Sequence, residues 1–185
     1  MGHKIMVPMP AEKLIRELFE KGASLEYYGE NVTQLEHALQ MYQLATDAGA
    51  DQELAVAAFL HDIGHLLPAE KGELGSEDHD FSGAAWLHRQ GFSRRVVAVT
   101  AQHVNAKRYL CFKFPEYYDR LSEASKLTLE MQGGPMTGRQ AISFEKQPHF
   151  EEIIKVRYWD EEAKVVDAQM PSLDEILLQV QELMN

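Results

Sequence analysis

The chain has 185 residues, enough for one domain with a real core, and its 45% hydrophobic and 25% charged residues exclude wholesale disorder. A formal net charge of -11 argues against nucleic acid as the main partner but leaves small anionic substrates open, because a buried metal pair supplies its own local positive charge. A single cysteine, Cys111, excludes an internal disulfide and a thiolate cluster; with no signal-peptide pattern and no apolar run of membrane-span length, the chain reads as cytoplasmic and without a membrane partner.

Apolar residues recur at helical spacing almost throughout. The first predicted helix covers 11–21, with Leu14, Ile15, Leu18 and Phe19 on one face. Asn31 or Thr33 caps a second helix that runs to about Ala48 and stops at Gly49. A largely apolar third helix, 52–60, runs straight into His61-Asp62. The stretch 68–78 is rich in glycine and charge and reads as a loop. Asp80 is the expected cap of a helix through Leu87, stopped by Gly91; Ser93 caps the next, ending near His103. Short helices follow over 115–120 and 123–131. Gly133-Gly134-Pro135 breaks the chain, and helices over 135–146, 150–163 and 172–184 complete it. No segment shows sustained period-two alternation, so the expected class is all-α. One domain over 1–185 is expected, with a core of about 11–165 and a C-terminal helix of about 172–184.

Eight histidines are present, and one at a time most have bland explanations. Their arrangement is more telling. In Phe59-Leu60-His61-Asp62-Ile63-Gly64-His65 an apolar helix delivers two adjacent metal-competent side chains and then meets a glycine. Adjacent helical side chains point about 100° apart, so His61 and Asp62 can converge on one metal, or Asp62 can reach across to a second. Upstream, His37 sits among apolar neighbours in mid-helix. Downstream, His79 stands at a helix entrance, His103 at an expected helix exit, and Asp160 follows two large aromatics.

The order His37, His61-Asp62, His79, His103, Asp160 resembles the HD-domain superfamily. That resemblance implies that His37, His61, Asp62 and Asp160 hold one metal. His79 and His103 complete a second, with Asp62 bridging. Nitrogen and oxygen ligands without sulfur do not choose among the first-row metals. The superfamily supports two chemistries, phosphohydrolysis and mixed-valent di-iron oxygenation.

Further stretches resemble the second group: Tyr27-Tyr28-Gly29-Glu30, His103-Val104-Asn105-Ala106-Lys107-Arg108, Leu121-Ser122-Glu123-Ala124-Ser125-Lys126, Gln132-Gly133-Gly134-Pro135-Met136 and Arg157-Tyr158-Trp159-Asp160. Over roughly residues 15–165 the chain is similar to the HD-domain di-iron dioxygenases that convert 2-amino-1-hydroxyethylphosphonate to glycine and phosphate. The resemblance implies two iron ions as an Fe(II)/Fe(III) pair, dioxygen as co-substrate and a small organophosphonate as substrate. It implies that His65, Lys107, Ser125 and Arg157 hold the phosphonate. Tyr27 and Glu30 gate the second iron, the one left for dioxygen, and Glu30 faces the substrate amine. Tyr28 is the rival of Tyr27. The same chemistry on an N-trimethylated or other small 1-hydroxyphosphonate is the near alternative, and an HD-domain phosphohydrolase the further one. Monomer and homodimer are both compatible with the sequence. The loop over 68–78 and the segment 161–167 depart from the usual run of the family.

Overall fold

The computed structural model describes residues 9–68 and 78–185. The expected loop over 68–78 therefore lies, apart from its two ends, outside the described residues. Ten α-helices and one 3₁₀ turn make up the described chain, which contains no strand. The all-α class follows.

Local chemistry sets most boundaries. Helix α1 (Ala11–Gly22) buries Ile15 and Phe19. Helix α2 (Gln34–Asp47) starts at Thr33, not Asn31. The Thr33 hydroxyl accepts the Glu36 N–H, and the Glu36 carboxylate accepts the Thr33 N–H, a reciprocal capping box. Between α1 and α2 an isolated bridge joins Glu26 to Thr33 and folds the intervening residues into a tight loop. Helix α3 (Gln52–Leu60) is capped by Asp51, and every residue from Leu54 to Leu60 is buried. It is the central helix, apolar on all sides. A 3₁₀ turn (Ile63–Leu66) follows it.

Helix α4 (His79–Arg89) begins one residue before the expected cap. Asp80 therefore lies inside its first turn, where its carboxylate accepts the Phe81 N–H. Helix α5 (Arg94–Lys113) is capped by Ser93 as expected, but does not end near His103. No glycine or proline interrupts it before Pro115, so it continues through His103 for several more turns. Helices α6 (Pro115–Arg120) and α7 (Glu123–Met131) match expectation. Helix α8 (Gly138–Phe144) is shorter than the expected 135–146, because Thr137 forms a capping box with Gln140 and leaves Pro135 outside. Helices α9 (Phe150–Glu162) and α10 (Leu173–Met184) complete the chain.

The long α5 packs against α3, α4 and α9, and α2 packs against α3 and α9. Their facing side chains form one apolar cluster that includes Met41, Phe59, Leu60, Leu110 and Ile153. Arg95, at the start of α5, fastens the periphery. It donates to Asp51 and Glu53 at 2.9 Å each, and pairs with Glu152 of α9. No helix among the described residues is long and apolar enough to cross a membrane.

One contact governs how α3 meets α4. The 3₁₀ turn lies backbone to backbone against α4, and a Cβ on Gly64 would stand 1.9 Å from the His79 carbonyl oxygen. That oxygen cannot yield without moving the start of α4. Gly64→Ala is expected to cost about 3 kcal/mol, roughly 6–12 °C in Tm. Gly49→Ala is the control: it meets a left-handed backbone, φ 76°, with no neighbour within 4 Å. It should cost about 1 kcal/mol. Equal losses in a thermal melt would refute the close-approach account.

Candidate metal centre

Five elements each contribute to one buried cluster. His37 comes from the middle of α2, His61 and Asp62 from the end of α3, His79 from the first position of α4, His103 from mid-α5, and Asp160 from α9. Asp62 leaves the helical path, with φ -101° and ψ 13°. This turn lets its carboxylate face two groups at once. Oδ2 lies 3.3 Å from His61 Nε2 and 3.8 Å from His37 Nε2. Oδ1 lies 3.0 Å from His103 Nε2 and 3.5 Å from His79 Nε2. Asp160 Oδ1 closes the first group, 3.3 Å from His37 Nε2 and 3.8 Å from His61 Nε2.

Three of the imidazoles are oriented by backbone. The Nδ1 atoms of His37, His61 and His103 sit 2.8, 2.8 and 2.6 Å from the carbonyl oxygens of Ala163, Ala58 and Thr100. A carbonyl only accepts, so each Nδ1 carries the hydrogen and each Nε2 turns inward. His37 and His61 are fully buried, and their Nε2 atoms have no hydrogen-bond partner. A buried nitrogen lone pair without a partner is costly unless a cation takes it. His79 and His103 present Nε2 to Nε2 at 3.0 Å. With metal–nitrogen bonds of about 2.1 Å, two ligands at right angles stand about 3 Å apart. The donor set therefore fits two divalent or trivalent metal ions with Asp62 between them.

Electrostatics point the same way. Burial would raise the Asp62 and Asp160 carboxyls, yet both are held well below the usual carboxylate range. The His61 charge does this for Asp62 together with histidine hydrogen bonds, and the Arg157 guanidinium does it for Asp160. Burial would lower His61, but the two carboxylates outweigh it and raise its pKa to about 10. The cluster thus favours a positive charge among its ligands.

A cavity of about 380 Å³ opens on this cluster. Its wall includes Asp62, His79, His103 and Asp160, together with Tyr27, Glu30, His65, Lys107, Ser125 and Arg157. Tyr27 stacks on His37 with ring centres 3.9 Å apart and donates its hydroxyl hydrogen to Asp160 Oδ1 at 3.0 Å. Burial and the Asp160 charge push its pKa well up, so it is a neutral phenol. Tyr28 is 59% exposed, which removes it from the cluster. His65 stacks on His79 at 3.9 Å; burial and the neighbouring His79 push its pKa down to about 3. It is neutral.

Lys107 lies one turn beyond His103 on the same helix, a consequence of the extended α5. It is buried and donates to Thr128 Oγ1 at 2.8 Å; burial, then the Arg157 charge, lower its pKa to about 7. Arg157 is buried too. It donates to the Tyr117 hydroxyl at 2.7 Å and pairs with Asp160 and Glu161. Ser125 Oγ accepts from Lys164 Nζ at 3.0 Å. Glu30 does not touch the metal ligands. Its Oε1 accepts from Ser122 Oγ at 2.6 Å and pairs with Lys164 Nζ at 3.1 Å. Sequence reasoning missed Thr128, Tyr117, Glu161 and Lys164. Thr128 and Glu161 stand within a turn of named residues, so helical spacing could have found them. Lys164 lies beyond the end of α9, where no periodicity applies.

Comparison with known proteins extends the picture. The HD domain family matches residues 35–168. A [1-hydroxy-2-(trimethylamino)ethyl]phosphonate dioxygenase (glycine-betaine-forming) of Leisingera caerulea is 42% identical over 164 residues, covering 86% of this chain and 83% of that protein. A hydroxymethylphosphonate dioxygenase of Gimesia maris is 40% identical over 179 residues, 93% of this chain and 88% of that one. An uncharacterised protein of Acanthamoeba polyphaga mimivirus is 37% identical over 86% of this chain and 75% of its own length.

Two outcomes are expected. Asp62→Ala removes the shared carboxylate and should abolish metal binding at both positions, read as bound metal per chain on a protein that keeps its helical circular dichroism; near-normal metal content would refute the bridge. Because His61 has a metal-free pKa of about 10, it is protonated at pH 7 and metal must displace that proton. Loading at pH 7 should release at least about one proton per chain, and the His61 share should vanish above pH 10. Titration in a weakly buffered indicator solution measures this, and metal uptake without proton release at pH 7 would contradict it.

Proposed function

The chain belongs to the HD-domain family, and from that premise we propose that it is an iron-dependent dioxygenase that cleaves the carbon–phosphorus bond of a small 1-hydroxyphosphonate. One observation supports this above others. A single cavity joins two ligand groups that share Asp62 to a buried cationic wall of Lys107 and Arg157. Lys107 has only a neutral hydroxyl beside it, and a buried ammonium next to a guanidinium calls for an anion with several oxygens. The similarity to named phosphonate dioxygenases supports the same class.

The substrate expected from the sequence, 2-amino-1-hydroxyethylphosphonate, belongs to that class; its products are glycine and phosphate. The trimethylated compound and hydroxymethylphosphonate differ from it only beyond C1. The reaction balances with one dioxygen. The C1–H and C1–P bonds break, C1 becomes a carboxyl carbon, phosphorus leaves as phosphate, and dioxygen is reduced into the two products.

His37, His61, Asp62 and Asp160 would hold one iron, and His79, His103 and Asp62 the other. Bound there as an Fe(II)/Fe(III) pair, iron would supply Lewis acidity to the hydroxyl and phosphonate oxygens and the redox equivalents that dioxygen chemistry needs. The chain does the rest. Lys107 and Arg157 bind the phosphonate oxygens; Ser125 Oγ–H and the neutral His65 N–H add uncharged donors. Arg157 is already aimed by Tyr117, Asp160 and Glu161, so little ordering is left to complete on binding. Lys107, near half-charged at neutral pH, gains its proton against the phosphonate. Together these contacts hold C1 between the two ligand groups, which is the orientation step. Tyr27 covers Asp160 until substrate enters and then gives up that position.

The test is direct. Protein reconstituted with ferrous iron should release phosphate and the matching carboxylic acid in equal amounts from a 1-hydroxyphosphonate, only when oxygen is present. Anaerobic cleavage of phosphate esters, with no oxygen-dependent release from any hydroxyphosphonate, would make it a hydrolase.

A further inference from the structure

Glu30, on the cavity wall, is paired with Lys164, a largely buried cation that is not itself among the lining residues and to which the metal centre assigns no role. Apart from Asp62 and Asp160, the cavity is lined by two carboxylates, Glu26 and Glu30. Glu26 is exposed to solvent. Glu30 is the inner one, and its charge is already met: Lys164 Nζ lies 3.1 Å from Oε1, and Ser122 Oγ donates to the same oxygen at 2.6 Å. Lys164 also reaches Glu161 at 3.3 Å and donates to Ser125 Oγ at 3.0 Å. Its side chain is only 12% exposed, and those of Glu30 and Glu161 are 15% and 18%.

The lysine is fixed in place by its neighbours in the chain. The residue before it, Ala163, has its carbonyl on His37 Nδ1 at 2.8 Å. The residue after it, Val165, is held on both sides by Gln40. Its N–H donates to Gln40 Oε1 and its carbonyl accepts from Gln40 Nε2, each at 3.0 Å. The backbone of Lys164 is thus pinned to α2 at both neighbours.

We infer that the Glu30–Lys164 pair selects substrates without a positive charge beyond C1. A substrate ammonium in the cavity needs a free carboxylate; the inner one is already taken by Lys164, and a second cation brought beside that pair is costly. A quaternary ammonium would instead need an aromatic cage. Only two tyrosines line the cavity. Tyr27 is committed to His37 and Asp160, and Tyr28 is 59% exposed. A hydroxyphosphonate with hydrogen or a small uncharged group beyond C1 makes neither demand. This inference rests on the hydroxyphosphonate reading above and narrows it. It also departs from the amine contact expected of Glu30 from the sequence.

The iron-loaded protein should be titrated without oxygen, by calorimetry, with hydroxymethylphosphonate, 2-amino-1-hydroxyethylphosphonate and its N-trimethylated form. The wild-type protein is expected to bind the first at least about tenfold more tightly than either cation. Lys164→Met keeps the length of the side chain, removes the charge and frees Glu30. It should shift the ratio toward the aminated compound by about tenfold or more. Any effect of the change on Ser125 falls on the phosphonate end, common to all three ligands, and cancels in the ratio. A wild-type preference for the aminated or trimethylated compound overturns the inference and leaves the dioxygenase reading standing, and so does a ratio that Lys164→Met leaves unmoved. No binding and no oxygen-dependent turnover with any of the three overturns both.

Discussion

The carboxylate of Asp62 is the point on which the rest of the molecule turns. Its two oxygens face two separate histidine groups, with Oδ2 toward His37 and His61 and Oδ1 toward His79 and His103. No helical side chain could do this from within an unbroken helix that also delivers His61. The chain solves it by leaving the α-helix at Leu60, passing through Asp62 at a non-helical ψ, and tightening into a 3₁₀ turn. The turn must then approach α4 closely enough for His79 to reach Oδ1. Gly64 permits that approach, because a side chain there would strike the His79 carbonyl. Metal geometry and backbone packing are thus one constraint.

An acidic protein holds a cationic pocket without contradiction. The net charge of -11 is carried largely by the surface, while Lys107 and Arg157 are buried beside the cluster. Each is stabilised differently. Arg157 keeps its charge against burial through Asp160, Tyr117 and Glu161. Burial and the Arg157 charge lower the Lys107 pKa to about 7, and only a neutral hydroxyl stands close by to hold its ammonium. A fixed cation beside a titrating one suits an anion that arrives and departs: the fixed charge attracts it, and the proton on Lys107 follows its occupancy.

The segment after α9 joins centre and pocket wall. The end of that helix supplies Asp160 to the cluster, Arg157 to the pocket with Glu161 paired to it, and the Ala163 carbonyl that orients His37. Lys164 follows immediately. A change in this short stretch is therefore felt at the cluster and at Glu30 together.

Much of the helical frame was legible residue by residue, because caps act over three or four positions. Thr33, Asp51, Ser93, Ser122 and Ser172 each accept an N–H in their own first turn. Two boundaries were misjudged where no local stop exists. Helix α5 runs on past His103 for want of a breaker, and α4 starts at His79 without a side-chain cap. The six metal-competent residues were also legible, as residue types recurring on predicted helices. Their convergence was not, since it depends on how α2, α3, α4, α5 and α9 pack. Only the packed structure decided that Tyr27 rather than Tyr28 lies on the cluster, because adjacent residues in a loop differ by the direction the backbone turns them. Only it placed Lys164 on Glu30, across 134 positions of chain (164 minus 30), a distance over which no spacing rule acts. Local hydrogen bonding is written in neighbouring residues; the charge that a pocket presents is set by side chains that meet only after folding.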